Sequence, residues 1–259
     1  MTSTNVIKLH QAQPAWGVPN ISPPCMELEA WLRIAGIPYV VAPFNMAEAP
    51  KGKVPYIDDR GALMGDATLI IDHLTSTTKK DPDEGLTPAE RAVSLAFRRM
   101  MKDDLYWVLI QSRWVEEHNW ALYRVVITRL FFSDLPEQQQ PDAVAAFREV
   151  IKGQFRGQGM ARHTAEEIYR FGIADLRAVS DYLGDKPFLL GDRPTTADAA
   201  VYSHVANMIE VPVRDPVKEY GSKDRRLVMY CERMRERFFP DCPRLHDHTE
   251  GGRGAISGL

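Results

Sequence analysis

Cysteine is scarce. Cys25, Cys231 and Cys242 are the three in 259 residues, an odd number and too few for a disulfide scaffold. Reduced thiols and a cytoplasmic compartment are therefore expected. No apolar run approaches the ~20 residues that a membrane span needs. Met1 to Gln13 lacks the charged-then-apolar order of a signal peptide. Charge is balanced as well: 32 basic against 35 acidic side chains leave a net charge of -3, which gives no general attraction to nucleic acid or an anionic membrane. Internal repeats, low-complexity tracts, a phosphate-cradling glycine loop and a Ser/His/Asp arrangement are missing. Asp72-His73 and His246-Asp247-His248 lack the further ligands of a metal site. His118 and His204 read as satisfied helix residues, and no metal is expected. What remains is an ordinary soluble composition, 44% hydrophobic and 26% charged, long enough for one large core or two modest ones.

The most informative stretch runs from Lys51 to Leu74. Lys53-Val54-Pro55-Tyr56-Ile57 reads as a short strand entered through a proline, tolerated there because a strand start needs no ladder donor. Asp58-Asp59-Arg60-Gly61 is a turn and Ala62-Leu63-Met64 a second strand. Gly65-Asp66-Ala67-Thr68 opens a helix that runs to about His73 or Leu74. Asp66 is a favourable N-cap, and the N–H groups of Ala67 and Thr68 would face outward for an anion.

Upstream, Val6 to His10 is a strand candidate and Gln13 to Asn20, with Pro14, Gly17 and Pro19, a loop. Ser22-Pro23-Pro24-Cys25 starts a helix, with Ser22 as N-cap and proline in the first turn. Leu28, Trp31, Leu32 and Ala35 recur at helical spacing, Gly36 caps the end, and Pro38 blocks continuation. Tyr39 to Ala42 is the next strand, and 43–52 is an irregular connection. The order is β-α-β followed by β-β-α.

Lys79 to Leu86 is a polar linker, after which Thr87-Pro88-Ala89-Glu90 forms a capping box. The helix it starts is expected to run past Trp114. Ala143 to Phe155, Ala165 to Leu183, Thr195 to Ile209 and Asp224 to Phe239 read as further helices, while Gly153, Gly157 and Gly159 loosen 153–163. An α/β domain over residues 1–80 is thus expected ahead of an all-helical domain over residues 86–259.

Strand, turn, strand and helix start around Val54-Pro55 resemble the second half of a thioredoxin-like domain. More narrowly, they resemble the glutathione-binding half of the glutathione transferase superfamily. Phe188-Leu189-Leu190-Gly191-Asp192 and the following Thr195-Thr196-Ala197-Asp198 are similar to the box that opens a buried helix in that superfamily's helical domain. Ser22-Pro23-Pro24-Cys25, Leu28 to Arg33, Ala35 to Tyr39, Leu105-Tyr106-Trp107, Arg113-Trp114 and Tyr230 to Pro240 look like the failed-axon-connections and metaxin-like branch. The implied architecture is a thioredoxin-like α/β domain followed by an all-α domain, the implied cofactor is glutathione, and a homodimer is expected.

The resemblance also assigns roles. A free thiol near ~8.5 must lose roughly two units of pKa, worth about 2.7 kcal/mol, to be a ready nucleophile. A helix start offers ~0.3–1 kcal/mol and a hydrogen bond to a charged group ~1.5–3 kcal/mol. Ser22, matching the serine of theta-like transferases, could supply both, or could simply cap its helix. Cys25 is the rival, as a first-turn thiol able to form a mixed disulfide, or a packed residue. Val54 ahead of Pro55 would pair with the cysteinyl backbone of glutathione, Lys53 would meet the glycyl carboxylate, and Asp66 the γ-glutamyl ammonium. Ala67 stands where the superfamily carries Ser or Thr, leaving backbone N–H groups and the Thr68 hydroxyl for the γ-glutamyl carboxylate. A small hydrophobic electrophile would bind between the domains near Trp16, Tyr106, Trp107 and Arg113. A non-catalytic, metaxin-like adaptor and a Cys25-dependent thiol transferase or lyase are the alternatives.

Overall fold

The computed structural model describes residues 6–242; His246-Asp247-His248 and the outer ends of both expected domains lie outside them. Buried Ile7 and Leu9 alternate with an exposed Lys8, so β1 (Ile7–His10) has one inward face. The helix α1 (Pro23–Ala35) crosses over to β2 (Tyr39–Ala42), which runs parallel to β1. β3 (Tyr56–Asp59) and β4 (Ala62–Gly65) form an antiparallel hairpin beside β1, giving the order β2-β1-β3-β4. Gly36 ends α1 at φ 64, a conformation that costs a side-chain-bearing residue more.

Every residue of α1 from Cys25 to Leu32 is buried, because α2 covers it on one side and α8 on another. Glu29 is among them. It is satisfied by Gln11 at 2.6 Å, Arg33 at 3.0 Å and the Tyr39 hydroxyl at 2.7 Å. α2 (Ala67–Thr78) runs a turn further than expected. The Thr77 and Thr78 hydroxyls return to the carbonyls of His73 and Leu74 at 2.8 and 2.6 Å, and Lys79 closes the helix in the left-handed region.

The remainder is helical. α3 (Pro88–Met100) opens on the Thr87–Glu90 capping box and passes through a π segment, Met101–Leu105, into α4 (Tyr106–Ile110). A second π segment, Gln111–Val115, ends this run beyond Trp114. α5 (Glu117–Phe131), α6 (Gln140–Gln158), α7 (Ala165–Leu183), α8 (Thr196–Ile209), α9 (Pro216–Lys223) and α10 (Arg225–Phe238) follow. The sequence reading did not anticipate α5 and α9. It also loosened α6 too early: Gly153 and Gly157 lie inside that helix on open faces, and only Gly159, at φ 110, ends it.

α8 is buried along its whole length. Its start is held by Asp198, whose carboxylate accepts from the Thr195 amide (2.8 Å) and hydroxyl (2.9 Å), the Leu189 amide (2.9 Å) and the Tyr230 hydroxyl (3.1 Å). A helix start this deep would otherwise leave bare N–H groups. Trp31 of α1 donates its indole N–H to Thr196 at 3.3 Å, which ties the sheet domain directly to this point.

On α7, Asp175 is 7% exposed, and its Oδ2 has no hydrogen-bond partner among the described residues. Burial, and then the charge of Asp104 in the first π segment, push its pKa up to about 8. A carboxyl that protonates more readily folded than unfolded supports the fold fully below its unfolded value of about 4, and that support is lost as pH rises toward the folded value. The stability of Asp175→Asn relative to the parent, read from urea unfolding, should therefore rise progressively between about pH 4 and about pH 8.

Candidate active site

Ser22 is placed by a buried knot of hydrogen bonds in the loop before α1. Asn20 donates to the Ala12 carbonyl at 2.8 Å and accepts from the Ser22 amide at 3.0 Å. Asn207 of α8 donates to the Asn20 carbonyl at 2.9 Å. Arg113 donates to the Ile21 carbonyl at 2.8 Å and to both oxygens of Asn207, the side-chain one at 2.9 Å. Arg113 is only 1% exposed. The expectation that it would line the site of the electrophile is therefore corrected: its two Nη atoms are spent on the loop and on α8. Burial pulls its pKa down, while Tyr123 and Asp215 pull it up.

Ser22 itself is half-buried and heads α1, yet its side chain makes no capping hydrogen bond. The hydroxyl lies instead against the Cys25 sulfur and pulls that thiol's pKa down. Burial outweighs this contact and pushes Cys25 up to about 12. With 0% exposure the sulfur has neither the charge nor the access that disulfide exchange requires. The catalytic role expected as an alternative for Cys25 is corrected to a packed thiol beneath Ser22.

Tyr106 reaches the same place. Burial, then Tyr123 and Cys25, push its hydroxyl up to about 12, while Arg113 pulls it down. Its hydroxyl hydrogen-bonds to no described residue. Trp16 stands over this group, its ring 5.2 Å from Tyr123 and 5.8 Å from the Arg113 guanidinium. Trp107 meets Tyr106 edge-on at 5.3 Å between ring centroids and stacks on Phe155 of α6 at 6.2 Å, so it packs between this group and α6. Tyr123, on the unanticipated helix α5, joins the group as well, with the Arg113 guanidinium 5.5 Å from its ring.

The second pole is the start of α2. The Val54–Pro55 peptide is cis, and neither the Val54 amide nor its carbonyl is taken up by another described group. Lys53 is exposed and sits 3.5 Å from Asp66. Asp66 caps α2 as expected, accepting from Thr68 at 3.1 Å and Leu69 at 3.4 Å, with its own backbone at φ 84. Burial alone would raise the Asp66 carboxyl, but the Leu69 amide and the charges of Lys53 and Lys102 outweigh it and hold the pKa below the usual range. The Thr68 amide is thus occupied, contrary to expectation, and Ala67 keeps the free one. The Thr68 hydroxyl accepts from Lys102 at 2.7 Å, and Lys102 pairs with Glu27 at 2.9 Å. Sequence reasoning missed Lys102, which belongs to no motif and is brought here by the first π segment.

His73 meets Asp59 at 2.9 Å and His118 the Arg214 carbonyl at 3.0 Å. His204 is only half satisfied: Nδ1 meets the Ala200 carbonyl at 2.8 Å, Nε2 has no hydrogen-bond partner among the described residues, and burial pulls its pKa down to about 3. Among the described residues no three His, Cys, Asp or Glu side chains meet as metal ligands, and no helix is long and apolar enough to cross a membrane.

Comparison with known proteins agrees with the fold. Residues 23–119 match the family described as Glutathione S-transferase N-terminal domain, and residues 172–234 match Glutathione S-transferase, C-terminal domain. The chain is 34% identical to the isoprene-epoxide glutathione S-transferase of Rhodococcus sp. (strain AD45), covering 90% of this chain and 99% of that protein. It is 31% identical to Failed axon connections of Drosophila melanogaster over 92% of this chain and 59% of that one. Human Metaxin-1 is 24% identical over 87% of this chain and 49% of its own length. The glutathione transferase GSTFuA3 from Phanerochaete chrysosporium superposes with a TM-score of 0.61, covering 90% of this chain and 98% of that one at 18% identity, a likeness of fold.

The burial of Cys25 predicts its reactivity. Iodoacetamide at mildly alkaline pH should leave Cys25 unmodified in the folded protein and alkylate it once urea unfolds the chain, as read by peptide mass spectrometry.

Proposed function

Because the chain belongs to the glutathione S-transferase family, in the branch shared with failed axon connections and the metaxins, we propose that it conjugates glutathione to a small hydrophobic electrophile. One observation carries this reading: the Ser22 hydroxyl heads α1 without being used to cap it, in the same neighbourhood of Cys25 as Tyr106 and Tyr123. Turned from Cys25 to the glutathione sulfur, with the start of α1 behind it, this hydroxyl supplies about the 2.7 kcal/mol by which the thiol must be favoured as thiolate.

Glutathione, the co-substrate, supplies the sulfur nucleophile, and a carbon–leaving-group bond of the acceptor breaks as the carbon–sulfur bond forms. The chain's own residues do the rest. Val54 offers an unpaired backbone amide and carbonyl for strand-like pairing. Lys53 is the cation for the glycyl carboxylate and Asp66 the anion for the γ-glutamyl ammonium. Trp16, Tyr106 and Tyr123 wall the acceptor and exclude water. For an epoxide, suggested as the first class to test by the Rhodococcus relative, the ring oxygen leaves with the bonding pair and takes a proton from the Tyr106 hydroxyl. Positioning of the two reactants carries most of the rate, since the thiolate needs no strong base beside it. A cytoplasmic homodimer belongs to the same proposal.

The second reading is a non-catalytic adaptor. It is favoured by Ala67, which lacks the family's hydroxyl, and by Thr68, whose amide and hydroxyl are already engaged.

Retention on glutathione resin and conjugation of a small epoxide separate these readings. Ser22→Ala should lower the conjugation rate by about ten- to a hundredfold, the worth of one hydrogen bond to a charged group, and Cys25→Ala should keep it. Failure of the parent protein both to bind the resin and to turn over supports the adaptor.

A further inference from the structure

We propose that Lys102 is the cationic donor for the γ-glutamyl carboxylate at the start of α2, standing in for the hydroxyl that Ala67 lacks; this rests on the transferase reading above. With the Thr68 amide committed to Asp66, the first turn of α2 offers only the Ala67 amide. A single amide is a weak hold for a carboxylate in water.

Lys102 supplies what is missing. Its ammonium lies 2.7 Å from the Thr68 hydroxyl, in that same first turn, and its charge acts on Asp66. An ammonium has three donors. One serves Thr68 and a second faces Glu27 at 2.9 Å, which leaves a third. The Lys102 side chain keeps 19% of its surface exposed, and the third donor is the one assigned to the ligand.

Glu27 explains why the ammonium stays. It is 0% exposed, Lys102 is the cation paired with it, and neither of its oxygens has a conventional hydrogen-bond partner among the described residues. A buried carboxylate left without its cation is strongly disfavoured. Lys102 is therefore held at the helix start before any ligand arrives. A lysine fixed in this way loses little further freedom on binding.

The test compares glutathione with an analogue lacking the γ-glutamyl α-carboxylate, by titration calorimetry on the parent and on Lys102→Met. The parent should bind glutathione about ten- to a hundredfold more tightly than the analogue, the worth of one charge-assisted hydrogen bond. In Lys102→Met that preference should fall to the small part that the Ala67 amide supplies, through weaker glutathione binding and unchanged analogue binding. The kinetic change should fall on KM for glutathione rather than on kcat. Lys102→Arg, which keeps the charge, should keep the preference. If the Met variant does not fold, Lys102→Gln serves, since its amide can still donate to Thr68 and Glu27. A variant that keeps the full preference, or weakens both ligands equally, overturns the proposal and leaves the transferase reading standing. Absence of glutathione binding to the parent overturns both.

Discussion

The buried guanidinium of Arg113 joins the two halves of this protein and fixes the loop that carries Ser22. It holds the Ile21 carbonyl on one side and Asn207 of α8 on the other, and Asn207 holds the neighbouring Asn20 carbonyl. A cation this deep is tolerated only where carbonyl oxygens replace its water. The loop carrying Ser22 is therefore registered against the most buried helix of the molecule. Ser22 inherits a position that its own backbone could not keep.

The second helix start, at Asp66, is built on a different principle. There the charges are partly solvated, and the aspartate, two lysines and a buried glutamate balance one another around the first turn of α2. The first is held by buried, mostly neutral groups around one guanidinium, and under the proposed function the sulfur and the apolar acceptor lie there. The second is polar and partly solvated, and under the same proposal it takes the zwitterionic end.

Much of this was legible in the sequence wherever a local rule decides the structure. Asp66 caps α2 and Asp198 reaches back to Thr195 because short polar side chains at a helix start have few other options. Gly36 closes α1 for the same kind of reason. The misses share a cause too. α5 alternates buried Tyr123, Val126 and Ile127 with exposed Leu122 and Val125, so its apolar pattern has no clean face to read. α9 is only eight residues long, below the length at which periodicity speaks. Gly153 and Gly157 looked like breakers but lie where nothing crowds a glycine and the neighbouring turns carry the helix through. Arg113 and Lys102 could not be assigned from spacing, because what each does depends on residues 92 and 34 positions away respectively. A lone arginine or lysine in a long helix carries no local mark of its partner.

A crystal structure with glutathione bound tests the central claim most directly, namely that Ser22 and the start of α2 are the two ends of one binding site. The account predicts the sulfur within hydrogen-bonding distance of the Ser22 hydroxyl, the cysteinyl backbone paired with Val54, and the γ-glutamyl group on the first turn of α2. Glutathione bound elsewhere, or with its sulfur turned away from Ser22, would contradict it.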